Sequence, residues 1–532
     1  MNVSANPLPQ CAPRRKLPIG IQTFAKIRED NAYYVDKTGF AVDLAERGTY
    51  YFLSRPRRFG KSLFLDTLKE LFEGNLPLFK GLAAEHRWDW TKKHAVIRVN
   101  FGSGVLRNRA ELDQRVLDIL RVNRRDLGLQ LPPDLPANDI TSSFEDLIAQ
   151  AHTSTGLRAV VLIDEYDKPI LDNIDHRAAA TEMREGLKNL YSVLKSCDEH
   201  LQFAFLTGVS KFSKVSLFSG LNNLEDITLE AAFSDICGYT DADVDTVFAP
   251  ELVGLDREEI RRWYNGYNWL GTPVYNPFDL LKLFRFREFR PFWFESATPG
   301  FLIKLLEKRQ QCTPDLSHIV APEMLLSTFD VDNMPVEALL FQAGYLTIES
   351  VRHVAGLMQV SLRYPNLEVR TSLNAVLLQS LTAHATQYSL HATRLYDLLM
   401  VPDFDGLKTL FHAFYASIAN DWYRKNEMSH YEGYYVSIFY SYFAALGIDI
   451  RLEDPTNVGR IDMTVLFNGH VFLFEFKVVE FDPKGRALQQ IKDMNYAQKY
   501  YSRGEPVHLI GVEFSKASRN IVGFEVETLS IE

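Results

Sequence analysis

The 532-residue sequence predicts an α/β protein, with a parallel sheet in its first half and a second α/β domain at its end. Three observations predict this class. An aromatic run (Tyr50, Tyr51, Phe52) leads into LSRPRRFGKS and then into an amphipathic stretch carrying Leu63, Phe64, Leu65, Leu68, Leu71 and Phe72, which reads as strand, tight loop, helix. AVVLIDE, from Ala159 to Glu165, is apolar at every position before its acids and reads as a strand buried on both faces in a parallel sheet. Near the end, RIDMTVLF (460–467), the turn pair Asn468-Gly469 and VFLFEFKVV (471–479) read as a hairpin.

The elements follow in order. Residues 1–16 (MNVSANPLPQCAPRRK) are polar and proline-rich and are expected to form a disordered tail. An ordered unit is expected over 17–240. Within it, Gly60, Lys61 and Ser62 stand at a helix start, where backbone N–H groups face an anion. Lys61 adds a mobile positive charge, Ser62 offers a hydroxyl to Mg²⁺, and Arg58 belongs to the basic run beside them. The stretch approaches the phosphate loop G-x-x-x-x-G-K-[ST], with Arg55 in place of its first glycine, and a P-loop NTPase sheet is expected; a plain glycine turn before a helix is the other reading. Another strand is expected at 96–101. Asp164 and Glu165 emerge at the C-terminal end of theirs, where open parallel sheets bind ligands. The first acid is suited to hold Mg²⁺ through water, the second to polarise the attacking water. A fourth strand, Gln202 to Leu206, ends at Thr207, a candidate sensor of the γ-phosphate. Ser210, Lys211 and Lys214 follow; they reach a nucleotide or, equally, solvent.

Residues 241–400 carry aromatic turns at 264–267 and 275–278 and a hairpin pattern at Gly344–Ile348 and Met358–Leu362, preceded by a helix-like apolar stretch. A helical, winged-helix-like region is expected, with a purely structural lid as the other reading. The last domain is expected over 401–532. Glu475 and Lys477 lie two apart on one strand and so share a face. Burying both is costly unless they pair or bind a metal. Asp462 on the neighbouring strand converges on them, and two carboxylates suit Mg²⁺ with room for water and phosphate. Lys477 then activates water in metal-assisted phosphodiester hydrolysis; a plain salt bridge with Glu475 is the alternative. Glu432, opening an aromatic helix pattern, offers a further carboxylate, and Gln490, on the next helix pattern, reaches toward phosphate or base.

Composition narrows the setting. Net charge is −10, so no global basic field draws nucleic acid, and any such partner needs a local patch. The basic Arg55–Arg58 run is one, though it sits where phosphates are expected and a nucleotide is its expected partner; RVNRR (121–125) is another and reads better as a solvated helix end. The four cysteines form no CxxC pair, which suggests a reducing compartment and no zinc site. No apolar run reaches membrane-spanning length, and a cytoplasmic protein is expected.

YYVDKT, LSRPRRFGKS, LIDEYDKPI, FLTGVSKFSK and LFSGLNNL together resemble the bacterial and archaeal AAA-ATPase-like proteins, whose C-terminal domain is of the PD-(D/E)XK nuclease superfamily, with a restriction-endonuclease-like fold. The resemblance covers roughly residues 17 to 525. It implies nucleotide phosphates on Lys61 and Ser62, Mg²⁺ on Asp164, water polarised by Glu165, and a nuclease signature of Asp462, Glu475 and Lys477, with Glu432 as upstream acid and Gln490 as the glutamine of the next helix. The expected protein uses ATP and Mg²⁺ and controls a nuclease-like domain that acts on DNA or RNA. The alternative is a nucleotide-dependent switch or scaffold whose last domain binds nucleic acid or protein without cutting.

Overall fold

Five parallel strands form the first sheet: β1 (Tyr50–Ser54), β2 (Val96–Asn100), β3 (Ala159–Asp164), β4 (Leu201–Gly208) and β5 (Glu225–Asp226), in the order β2-β3-β4-β1-β5. The computed structural model describes residues 13–132, 139–211, 217–218, 223–297, 319–323, 326, 335–381, 385–418 and 432–530. β1 and β3 are buried at every position, as their unbroken apolar runs require. β4 lies between them, so the loop after β1 and the acids ending β3 open onto the same C-terminal edge, separated by one strand. The helix Lys61–Phe72 starts directly from that loop and buries Phe64, Leu65, Leu68, Leu71 and Phe72.

The chain divides into two compact units, residues 1–298 with 319–366, and residues 299–318 with 367–532. The 241–400 span is thereby shared between them. Its first part belongs with the parallel sheet because Tyr267 and Trp269 pack edge-on against Phe59 of the β1 loop, at 4.7 and 5.3 Å between ring centres. A hairpin is present, its first strand later than the expected 344–348 because Gly344 caps the preceding helix: β7 (Thr347–Val354) and β8 (Leu357–Arg363) pair antiparallel, with β6 (Ile319–Pro322) beside β8. Further along, Leu378, Leu395 and Leu399 join the core of the second unit with Phe411.

That second unit holds a mixed sheet ordered β13-β12-β11-β10-β9, from β9 (Asp449–Pro455), β10 (Arg460–Phe467), β11 (His470–Val479), β12 (Val507–Ser515) and β13 (Asn520–Leu529). β11 and β12 run parallel, the other pairs antiparallel. Asn468 and Gly469 take positive φ, 49° and 74°, as a two-residue turn between β10 and β11 demands. One face of the sheet packs Phe474 and Phe476 on Phe439 of the helix Glu432–Ala445. The helix Arg486–Asp493 covers the other face, and it sits so close that a Cβ on Gly511 would run into the Leu488 backbone. Among the described residues no helix is long and apolar enough to cross a membrane.

Candidate active sites

The loop between β1 and its helix lines a cavity of about 410 Å³, within the range of small-molecule sites. Gly60 supplies the helix start in the left-handed region, φ 95°, with no side chain capping the first turn, so the N–H groups there are left for a ligand. Arg58, Gly60, Lys61, Ser62 and Glu165 all border the cavity, with Tyr239 and Phe278 among its aromatic walls. Arg58 also takes a positive φ, 70°, and lays its guanidinium over Phe278 at 4.9 Å. Lys61 is buried and donates to the loop's own carbonyls, Arg55 O at 2.9 Å and Pro56 O at 3.0 Å. Burial pushes its ammonium below the usual lysine range, and the nearby Asp164 and Glu165 carboxylates work against that. An incoming phosphate offers better acceptors than two carbonyls.

Asp164 ends β3 buried, its Oδ1 accepting the Glu165 N–H at 3.0 Å. Glu165 has φ 52°, and burial first, then the Asp164 charge, hold its carboxyl above the usual range. A hydroxyl and a carboxylate are the hard oxygen donors Mg²⁺ takes beside phosphate, so Ser62 and Asp164 fit that ion.

Three sequence expectations are corrected here. Thr207 is fully buried, donates its hydroxyl to Leu53 O at 2.8 Å and stands outside the cavity wall; it ties β4 to β1. Lys211 is neither solvent-exposed nor at the cavity: it is buried and ion-paired with Asp226 at 2.9 Å, with its N–H donated to Gln342 Oε1 at 2.8 Å. Arg55 turns inward instead of toward phosphate. Its guanidinium donates to Ser54 O, Thr228 O and Phe233 O at 2.9–3.0 Å and lies 4.2 Å over Trp269. The side chain that replaces the usual glycine is therefore a strut that braces the loop from behind. Further bracing comes from Trp293, which donates Nε1–H to Arg57 O at 3.0 Å and packs on Tyr345. Gly344 admits Pro56 so closely that a Cβ there would lie 2.8 Å from its ring. Lys214 lies outside the described residues. In RVNRR, Arg124 is buried against Ser143 O and Asp146, while Arg121 and Arg125 are exposed.

In the second unit, Glu475 is 1% exposed and receives Lys477 Nζ at 3.1 Å; Lys477 also donates to Phe476 O at 2.8 Å. The β10–β11 register ends at Met463 opposite Phe474, which leaves Asp462 just past the paired stretch, next to Glu475 and Phe476. Asp462 accepts the Phe476 N–H at 2.8 Å. The covering helix brings Gln490 to this face. Tyr496 stands beside the group: burial first, then the Glu475 carboxylate, keeps its phenol above the usual range, while the neighbouring Gln490 and Lys477 work against that. Nothing in sequence spacing singled out Tyr496. Glu432 opens its helix, but its side chain lies outside the described residues. A buried carboxylate and a half-buried one on adjacent strands, with Lys477 paired to the first, suit a divalent cation, and the oxygen donors suit Mg²⁺.

Comparison with known proteins decides the family. Residues 18–218 match the family described as "Predicted AAA-ATPase", and residues 430–524 match the PD-(D/E)XK nuclease superfamily. The chain is an AAA-ATPase-like protein with a PD-(D/E)XK nuclease superfamily domain. The first match of this AAA-ATPase-like protein spans β1 to β4 with Gly60-Lys61-Ser62 and Asp164-Glu165; the second spans β9 to β12 with Asp462, Glu475, Lys477, Gln490 and Tyr496. It is also 60% identical over 517 residues to the "Uncharacterized protein in vnfD 5'region" of Azotobacter chroococcum mcd 1, across 97% of this chain and 99% of that protein. The architecture is thus shared from end to end, including the stretch between the two matches.

Proposed function

We propose that the protein binds and hydrolyses ATP, and that its nucleotide state governs a Mg²⁺-dependent nuclease-like domain acting on DNA or RNA. The observation that carries the first half is the single cavity wall holding the helix N-terminus, Lys61, Ser62 and Glu165, with Asp164 beside it. In this scheme Lys61 leaves the carbonyls of Arg55 and Pro56 for the β- and γ-phosphates, and Ser62 and Asp164 hold Mg²⁺. Glu165 accepts the proton of the water that attacks the γ-phosphate, releasing ADP and phosphate. The metal supplies neutralisation of phosphate charge.

In the second unit Asp462 and Glu475 would hold the cation, and Lys477 would orient the attacking water and face the phosphate. The direct Glu475–Lys477 ion pair also favours a second reading, in which the domain keeps a structural pair and binds its partner without cutting. Assaying ATP turnover and cleavage of plasmid and oligonucleotide together, with Mg²⁺ or Mn²⁺, separates the two.

Lys61→Ala tests the nucleotide site most directly. ATP affinity is expected to fall at least tenfold, about 1.4 kcal/mol or more. Unchanged affinity by calorimetry would make the loop a structural turn.

A further inference from the structure

Asp167, two residues beyond Glu165, takes no part in the hydrolysis scheme above, yet it is 1% exposed and fully engaged. Its carboxylate accepts Ser210 Oγ–H at 2.6 Å, Ser210 N–H at 2.8 Å and Val209 N–H at 3.3 Å. The intervening Tyr166 donates its N–H to Thr207 O at 3.2 Å and its hydroxyl to Ser210 O at 3.0 Å. Tyr191 closes the other side by donating to Tyr166 O at 3.1 Å. Gly208 is what lets the two segments meet: a Cβ there would collide with the Asp167 carboxylate and the Tyr166 ring. The turn after β3 is in this way clasped to the end of β4 through one carboxylate and one phenol.

The clasp stands next to a strained residue. Glu165 holds φ 52°, a left-handed conformation that a side-chain-bearing residue keeps only when its surroundings impose it. On its N-terminal side the backbone is fixed by β3; on its C-terminal side the fixture is the clasp. We propose that Asp167 is a positioning residue for Glu165, holding the strained turn so that the Glu165 carboxylate faces the attacking water. This rests on the hydrolytic reading of Glu165.

The test uses the full chain and three measurements: steady-state ATP turnover, ATP affinity by calorimetry, and thermal unfolding. Asp167→Asn is expected to lower kcat on the order of 100-fold, the scale of a misplaced catalytic group, with ATP affinity within about threefold of wild type. Ser210→Ala removes only one of the three donors and is expected to lower kcat by about three- to tenfold with folding retained. It keeps the inference testable if Asp167→Asn does not fold. Unchanged kcat in Ser210→Ala, or affinity falling in step with kcat in either variant, would overturn the positioning role. Wild-type protein that binds ATP without turnover, or Glu165→Gln that turns over normally, would instead remove the hydrolytic reading and the inference with it.

Discussion

Lys477→Ala is expected to abolish metal-dependent phosphodiester cleavage while ATP turnover continues, because the two sites belong to separate units. The stability of the same variant says what the lysine does. Lys477 holds its ammonium 3.1 Å from a carboxylate that is 1% exposed. Removing one partner of a buried pair costs about 3–5 kcal/mol. For a unit of this size that lowers the melting temperature on the order of 10 °C. A metal held by Asp462 and Glu475 would replace the lost positive charge, so Mg²⁺ or Mn²⁺ should restore much of the loss, and EDTA should reveal it. A drop in melting temperature that metal does not touch, with wild-type protein unable to cleave, would leave the ion pair structural and the scaffold reading standing.

Glu165→Gln is expected to keep ATP bound while turnover falls by about 10²- to 10⁴-fold, the usual worth of a general base. Its stability should move the other way. Burial and the Asp164 charge raise the Glu165 pKa above its ordinary value of 4.5, so the folded state prefers the protonated acid. Stability from this group is complete below the ordinary value and lost as pH rises through the raised one. At neutral pH the carboxylate therefore costs stability, and the amide removes that cost. The variant should melt higher than wild type at pH 7 and show no such gain at pH 4. Normal turnover with an unchanged melting temperature would take the water-polarising role away from Glu165.

Local sequence carried the strands and both motif clusters. β1, β3 and the β10–β11 hairpin were legible because apolar runs and Asn-Gly turns act within a few residues. Gly60-Lys61-Ser62 and Glu475-x-Lys477 were legible for the same reason: each is one stretch of chain on one element. What stayed hidden depends on distant partners. The role of Arg55 is set by Trp269 and Phe233, that of Asp167 by Ser210, and that of Tyr496 by a helix folding back over β11. Thr207 misled because its strand-end position is right for a sensor. The deciding fact, its hydroxyl spent on Leu53 O, belongs to a strand more than 150 residues earlier.

The bracing of the β1 loop has a practical consequence for anyone cutting the protein into pieces. A fragment ending where the ATPase family match ends, at residue 218, would lack Phe233 and Thr228, which hold the Arg55 guanidinium, and Trp269, which covers it. It would also lack Trp293, Gly344 and Tyr345, and would turn Phe59 out to water. Such a fragment should aggregate on expression. The compact unit that keeps these braces runs to Asn366, and light scattering of fragments ending at 218 and at 366 would tell them apart.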